Sequence, residues 1–234
     1  MFSRIMRNLP LVGNRLPSLS MLRATDQWRH LYPWFQSRRE NYLLDHAIPW
    51  LVYDAAEYLR ANLQKNIRVF EYGSGSSTLF WSKFDAHCTS IEHDGSWVNV
   101  LRTRFNPAYD VDLRLVPTDN PPLPLDKDIA DPSGYRSDWF GFERQTFKTY
   151  VEQIDTFPDG CFDVVLVDGQ ARPSCIAHSY KKVKSRGMLI VDNADLSQYQ
   201  PALHEYLAAF NCHSFTGIAP IEGVLSRTNV YIAP

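Results

Sequence analysis

The apolar positions of this chain change period repeatedly, and the changes divide it into elements. Over 49–64, Leu51, Val52, Ala55, Ala56, Tyr58, Leu59 and Leu63 recur at mostly helical spacing among Asp54, Glu57 and Arg60, which predicts an amphipathic helix. A β-branched and aromatic run over 67–72 then predicts a strand that stops at Gly73-Ser74-Gly75-Ser76-Ser77-Thr78. Leu79, Phe80, Trp81 and Phe84 resume a helical pattern. A second strand is expected over 88–92, a helix over 96–104 with Trp97, Val100 and Leu101 on its buried face, and a third strand over 111–116. Five prolines, Pro117, Pro121, Pro122, Pro124 and Pro132, then interrupt the pattern, so 117–135 reads as a long surface loop.

Beyond that loop a helix is expected over 142–154. Residues 162–168 form the most strand-like run of the chain, continuously apolar from Val164 to Val167, as in a strand buried on both faces. A helix around 176–184, a strand over 187–192, a helix over 201–210 and a last strand over 228–232 complete the reading. Strands alternating with helices imply a doubly wound α/β domain whose ligands lie beyond the carboxyl ends of the strands.

Composition narrows the function classes. With 234 residues and 44% hydrophobic content, the chain is long enough for one sizeable core. A net charge of −2 argues against a protein that works by neutralising phosphates, so no nucleic-acid partner is expected. Four cysteines, Cys88, Cys161, Cys175 and Cys212, stand too far apart for CxxC pairs and fit a reducing cytoplasm. No stretch reaches the roughly 18 apolar residues of a membrane span. Residues 1–25 read as a basic extension, because Arg4, Arg7, Arg15 and Arg23 precede the first acid, Asp26; residues 26–234 form the single domain. The extension is either a weak membrane-surface or partner-binding arm, or a partly ordered tail with no partner.

The chemistry gathers where strands meet turns. Gly73-Ser74-Gly75 allows a sharp turn and close backbone approach to a ligand, and Glu92, ending the second strand, is placed to accept hydrogen bonds from a ribose. Glu71 discriminates between nucleotide ligands: a carboxylate at this strand end would repel a pyrophosphate, whereas S-adenosylmethionine brings an ammonium and a sulfonium. Thr78 also replaces the third glycine of a dinucleotide fingerprint.

These residues carry a resemblance. The run 69–78, then Ser90-Ile91-Glu92-His93-Asp94, 162–172 and 187–193, resemble successive motifs of class I S-adenosylmethionine-dependent methyltransferases. The resemblance spans 49 to the C-terminus and implies a Rossmann-like methyltransferase fold, with a mostly parallel seven-strand sheet and helices on both faces. It implies that Gly73, Ser74, Gly75 and Ser77 line the methionine moiety, and that Glu71 meets its ammonium directly or through water. Glu92 would bind the ribose hydroxyls, His93 would border the adenine and Asp119 would reach the adenine amino group. Asp168 would bound the cofactor pocket or take the acceptor proton.

Asp168, Asp192 and Asn193 together resemble the metal site of catechol-type O-methyltransferases, a set of oxygen ligands suited to Mg²⁺ or Ca²⁺. Ala171 stands where that family has its base lysine, and the favoured expectation is no metal. Arg172 is expected either to clamp an anionic group of the acceptor or to pair with Asp168 or Asp192. His46, His93 and His178 are further candidate bases. Trp34, Phe35, Trp50, Tyr53, Trp139 and Phe140 either wall an acceptor pocket or pack the core, and Cys175 reads as a small buried residue. The expected activity is in-line methyl transfer to oxygen of a small-molecule acceptor. A degenerate methyltransferase-like scaffold and an NAD-type oxidoreductase are the alternatives, and the sequence does not specify the oligomeric state.

Overall fold

The computed structural model describes Leu22 and residues 26–234; the four arginines of the basic extension lie outside them. A 3₁₀ turn, Gln27–His30, leads into α1 (Leu31–Ser37), followed by α2 (Tyr42–His46) and α3 (Tyr53–Asn62). The alternating part comprises β1 (Arg68–Tyr72), α4 (Ser76–Trp81), β2 (His87–Glu92), α5 (Gly95–Arg102) and β3 (Val111–Leu115). It continues through α6 (Lys148–Val151), β4 (Phe162–Val167), α7 (Arg172–Ser179), β5 (Val183–Val191) and α8 (Gln200–Leu207), and closes with β6 (Asn211–Ile218) and β7 (Leu225–Ile232).

The seven strands pair in the order β3-β2-β1-β4-β5-β7-β6. β1 to β5 are mutually parallel, while β7 runs antiparallel to both β5 and β6. β6 therefore runs with the parallel set, and the turn 219–224 after it lies at the carboxyl edge of the sheet. This topology brings the ends of β1, β2, β4, β5 and β6 to one edge, with the switch point between β1 and β4.

The period of two along each central strand divides the core. Val165 and Val167 of β4 join Phe70, Tyr72, Leu189 and Val191 under α6, α7 and α8, whereas Val164 and Leu166 join Val69, Ile190 and Val230 under α3 and α4. All of these side chains are completely buried, each contributing roughly 1.5–3 kcal/mol of transfer free energy. The β3 edge is half exposed and carries the Asp112–Arg114 ion pair, a charged border of the kind that discourages further strand pairing.

Several elements depart from their expected limits. The helix expected over 142–154 begins only at Lys148, because 136–147 forms a flap held by the Arg136–Thr146 bridge and turns at Trp139–Phe142 and Phe142–Gln145. The helix expected around 176–184 starts earlier, at Arg172, where Pro173 occupies its first turn. In α5 the buried residues are Val98 and Leu101, with Trp97 turned toward the glycine loop. β6 has no counterpart in the sequence reading: as an edge strand it alternates exposed and half-buried residues and carries little apolar signal.

α1 latches the β6–β7 turn to the body. Trp34 is fully buried and donates its indole N–H to the Glu222 carbonyl at 2.5 Å, and Ser37 Oγ accepts the Ile221 N–H at 2.9 Å. Trp34→Ala is expected to lower stability by about 3–5 kcal/mol through cavity formation, read as a lower urea midpoint with an unchanged slope.

Candidate functional site

At the end of β1, Gly73 has φ +89°, and a Cβ there would meet the Asp168 carbonyl and the Gly169 Cα at 2.8 Å. The Gly73 N–H donates to Ile91 O and the Asp168 N–H to Tyr72 O, so the chain passes from strand to turn without losing its ladder bonds. A side chain at Gly169 would run into the Tyr150 hydroxyl. Glycine at 73 and 169 thus lets the β1 and β4 ends touch. A Cβ at Gly75, in contrast, would find only Ser77 Oγ at 3.9 Å, which leaves bare backbone beside open space.

The turn is secured from both sides. Trp97 Nε1 donates to the Ser74 carbonyl at 2.7 Å, Ser74 N–H donates to Glu92 Oε2 at 3.2 Å, and the Ser74 and Ser90 hydroxyls lie 2.7 Å apart. Glu92 Oε1 accepts the N–H groups of His93 and Asp94 and lies 2.7 Å from His93 Nδ1. His93 stands edge-on to Phe142 and Phe147, with Gln170 Nε2 3.4 Å from its Nε2, and Ser137 donates to Gln170 Oε1. The flap is therefore tied to the β2 end through His93 and Gln170.

Glu71 is completely buried and faces inward. Its Oε2 accepts from Thr78 and Ser90, each at 2.5 Å, and Oε1 accepts from Trp81 at 3.0 Å. Burial raises its pKa, opposed by the donors Ser77, Ser90, Thr78 and Trp81. Glu71, with Ser77, braces the turn from below. Asp119 is engaged within the chain. It accepts from Thr146 Oγ1, Lys148 N and Thr149 N, which anchors the proline-rich loop to the start of α6. Partial burial would raise its carboxyl, but those donors outweigh it and hold the pKa below the usual range.

Arg172 takes one of its two expected roles, the ion pair with Asp168. Nε donates to Gly169 O, Nη1 to Asp192 O and Asn193 Oδ1, and Nη2 to Asp168 O and Oδ1. All five N–H groups are used within the chain, so the guanidinium knits the β4 and β5 ends together and has no donor left to clamp an acceptor. Asn193 Oδ1 accepts one of these bonds, and a fixed positive charge sits among Asp168, Asp192 and Asn193. Elsewhere among the described residues, His30, Asp54 and Glu57 come within metal-ligand proximity of one another, but Arg29 pairs with both acids.

The β4–β5 side of the carboxyl edge is acidic. Burial, followed by the charge of Asp192, pushes the Asp168 carboxyl well above the usual carboxylate range. Burial also raises Asp192 to about 6, although Arg172 and a 2.5 Å bond from Thr228 Oγ1 oppose it. Glu222, in the β6–β7 turn, is pushed up to about 8 by burial and by Asp192, against a 3.1 Å bond from Trp50 Nε1. Sequence reading missed Glu222, because its place at the carboxyl edge becomes visible only when 211–218 is recognised as a strand.

The remaining candidates fall apart in space and role. His46 is bonded to Tyr42 O, and His178 pairs with Asp155 in the last turn of α7, beside a cavity of about 460 Å³ lined by Tyr135, Tyr180 and Tyr206. That cavity lies away from the strand ends. Tyr53 stacks on His30 in the core, Cys175 is fully buried, Phe35, Trp139 and Phe140 are exposed, and Asp138 of the flap bonds Gln198 and Tyr199.

No family model matches the chain, and no curated protein matches it. Solved structures do. A candidate O-methyltransferase from Klebsiella pneumoniae is 14% identical, with a TM-score of 0.51 over 99% of this chain and 96% of that one. A methyltransferase-like protein from Silicibacter pomeroyi is 25% identical over 76% of this chain and 84% of its own, with a TM-score of 0.47. The 1,6-didemethyltoxoflavin-N1-methyltransferase of Burkholderia thailandensis, solved with 1,6-didemethyltoxoflavin and S-adenosylhomocysteine, is 13% identical over 95% and 93%, with a TM-score of 0.45. The Klebsiella match gives the fold: the chain has the Rossmann-like fold of methyltransferases.

Two outcomes follow from this geometry. Gly73→Ala combines a positive φ with backbone overlap and should cost about 2–4 kcal/mol, measured by denaturant unfolding. Because the folded state raises Asp192 and Glu222, it keeps protons that the unfolded chain releases. Their contribution to stability is therefore fully present below the ordinary values of 3.8 for Asp192 and 4.5 for Glu222, falls as pH rises through about 6 and about 8, and is flat above. Glu222→Gln should flatten the upper part of that fall in a melting-temperature series.

Proposed function

We propose that this chain is an S-adenosylmethionine-dependent methyltransferase acting on an oxygen of a small-molecule acceptor. One observation carries the reading: the glycine turn at the β1–β4 switch point presents bare backbone at Gly75 beside the carboxyls of Glu92 and Asp168, with no phosphate-binding cation among the described residues. Such a cradle suits an adenosyl ligand with a cationic end and opposes a dinucleotide pyrophosphate. Among the described residues the cation fixed within it is Arg172, whose donors are engaged within the chain.

In this reading Gly73, Ser74 and Gly75 line the methionine portion and Glu92 receives the ribose hydroxyls. Oε1 of Glu92 is occupied by the N–H groups of His93 and Asp94 and by His93 Nδ1, but Oε2 accepts only the Ser74 N–H, so a lone-pair position remains there for a ribose hydroxyl. His93 borders the adenine, and Asp168 meets the cationic end in place of Glu71. When bound, S-adenosylmethionine supplies a methyl group already activated by its sulfonium. The chain's own work is alignment, exclusion of water and removal of one proton from the acceptor hydroxyl. Asp168 suits that last task. Arg172 is bonded to its Oδ1, which leaves Oδ2 for the proton, and its raised pKa makes it a stronger base than an exposed carboxylate.

Calorimetric titration tests the cofactor. S-adenosylmethionine is expected to bind and NADH not to bind, and Glu92→Ala should weaken binding by about 1–3 kcal/mol through lost hydrogen bonds to a charged acceptor. Unchanged affinity in Glu92→Ala would remove the ribose assignment. Binding of NADH alone would replace the methyltransferase reading with an oxidoreductase. Asp168→Asn should slow methyl transfer by about 10²–10⁴-fold and abolish the rise of rate with pH that a raised carboxyl base imposes. A rate that rises with pH equally in Asp168→Asn would assign the proton to another group.

A further inference from the structure

Three side chains of metal-ligand type converge where the 3₁₀ turn Gln27–His30 meets α3. His30, Asp54 and Glu57 each bring one ligand atom within 4.8 Å of the other two. Asp54 and Glu57 are three residues apart and so share one face of α3. A single guanidinium marks the point of convergence: Arg29 Nε lies 3.0 Å from His30 Nε2, while Nη2 donates to Asp54 Oδ1 and lies 3.7 Å from Glu57 Oε2. Two of the three ligands are also held from behind. The His30 ring is 2% exposed and stacks on Tyr53 at 5.2 Å, and Asp54 Oδ2 accepts from Gln27 Nε2 at 2.7 Å, which leaves Oδ1 facing Arg29. Supporting contacts of this kind orient the ligands of metal sites. Partial burial would raise the Asp54 carboxyl, but bonds from Gln27, His30 and Arg29 outweigh it and hold the pKa below the usual range.

The guanidinium leaves one contact in conflict. His30 Nε2 is 2.8 Å from Asp54 Oδ1, an acceptor, as well as 3.0 Å from the Arg29 N–H donor. A ring nitrogen carries either a proton or a lone pair, so it cannot donate to Asp54 and accept from Arg29 at once. A metal ion removes the conflict, because it takes the nitrogen lone pair and the carboxylate oxygen together. Charge agrees, since two carboxylates face one arginine whose side chain is 62% exposed and can swing into solvent. We propose that His30, Asp54 and Glu57 bind a Zn²⁺ ion, with water as the fourth ligand, in exchange for Arg29. One imidazole with two carboxylates suits zinc, whereas Mg²⁺ and Ca²⁺ take all-oxygen sets. The ion fastens the 3₁₀ turn to α3 and, through Gln27, whose Oε1 accepts the Ile218 N–H at 3.0 Å, to β6. The site shares no residue with the strand-end crevice and does not depend on the methyltransferase reading.

Calorimetric titration of the full chain with zinc chloride, with magnesium chloride as the control, tests the site. One Zn²⁺ per chain should bind with micromolar affinity and raise the melting temperature, because the ion binds the folded state. Magnesium should give neither effect. Glu57 is 54% exposed, so Glu57→Gln should keep the fold, verified by its melting temperature without zinc, and should weaken zinc binding at least about tenfold. Arg29→Ala should tighten it by about two- to fivefold through loss of the competing charge. No zinc binding by the native chain, or equal binding of magnesium, would overturn the proposal. Zinc affinity unchanged in Glu57→Gln would place the ion on other side chains, such as the exposed Cys212, and also overturn it. Weaker binding in Arg29→Ala would do the same, since the guanidinium would then build the site instead of competing for it.

Discussion

Everything at the carboxyl edge depends on one close approach, the contact of the Gly73 backbone with the Asp168 carbonyl and Gly169. Two parallel strands whose chains leave in opposite directions open a crevice between their ends, and its depth is set by how closely the turns can approach. Here neither turn has a side chain at the crossing. The space that a Cβ would fill at Gly75 stays open, and Ser74, pinned by Trp97 and Glu92, keeps the loop in place. Glu71 supports this from beneath by tying Thr78 and Trp81 of α4 and Ser90 of β2 to the end of β1.

Electrostatics then gives the two sides of the crevice different characters. On the β2 side Glu92 accepts the backbone N–H groups of Ser74, His93 and Asp94. On the β4–β5 side, Asp168, Asp192 and Glu222 lie within reach of one another's charge, Asp192 buried and the other two partly so, and all three are raised. Arg172 keeps that cluster from being untenable, since its guanidinium is the internal counter-ion and ties the two strand ends into one unit. The two sides thus differ in kind: backbone donors face the carboxylate on one, and burial with like charge raises the carboxyls on the other.

The parts of this arrangement legible in the sequence are those set by local chemistry. β1, β2, β4 and the glycine turn announce themselves through apolar runs that end in Gly and acid, and their expected limits agree with the structure to within a residue or two. The roles of single side chains were less legible, because they depend on what arrives from distant segments. Arg172 and Asp168 are four residues apart, but Asp192 and Asn193, which complete the guanidinium's bonds, come from the next strand. Asp119 is claimed by residues 27 to 30 positions later. β6 left no clear pattern because an edge strand buries little, and with it went the location of Glu222.

The central claim is that the crevice between Gly73–Gly75 and Glu92 is built for an adenosyl ligand with a cationic end. A crystal structure of the protein with S-adenosylhomocysteine tests it most directly. The account predicts the ligand at the β1–β4 switch point, its ribose hydroxyls on Glu92, its amino end toward Asp168 and Glu71 still enclosed by Thr78, Ser90 and Trp81. A ligand bound away from the glycine turn, or with its ribose on groups other than Glu92, would contradict it.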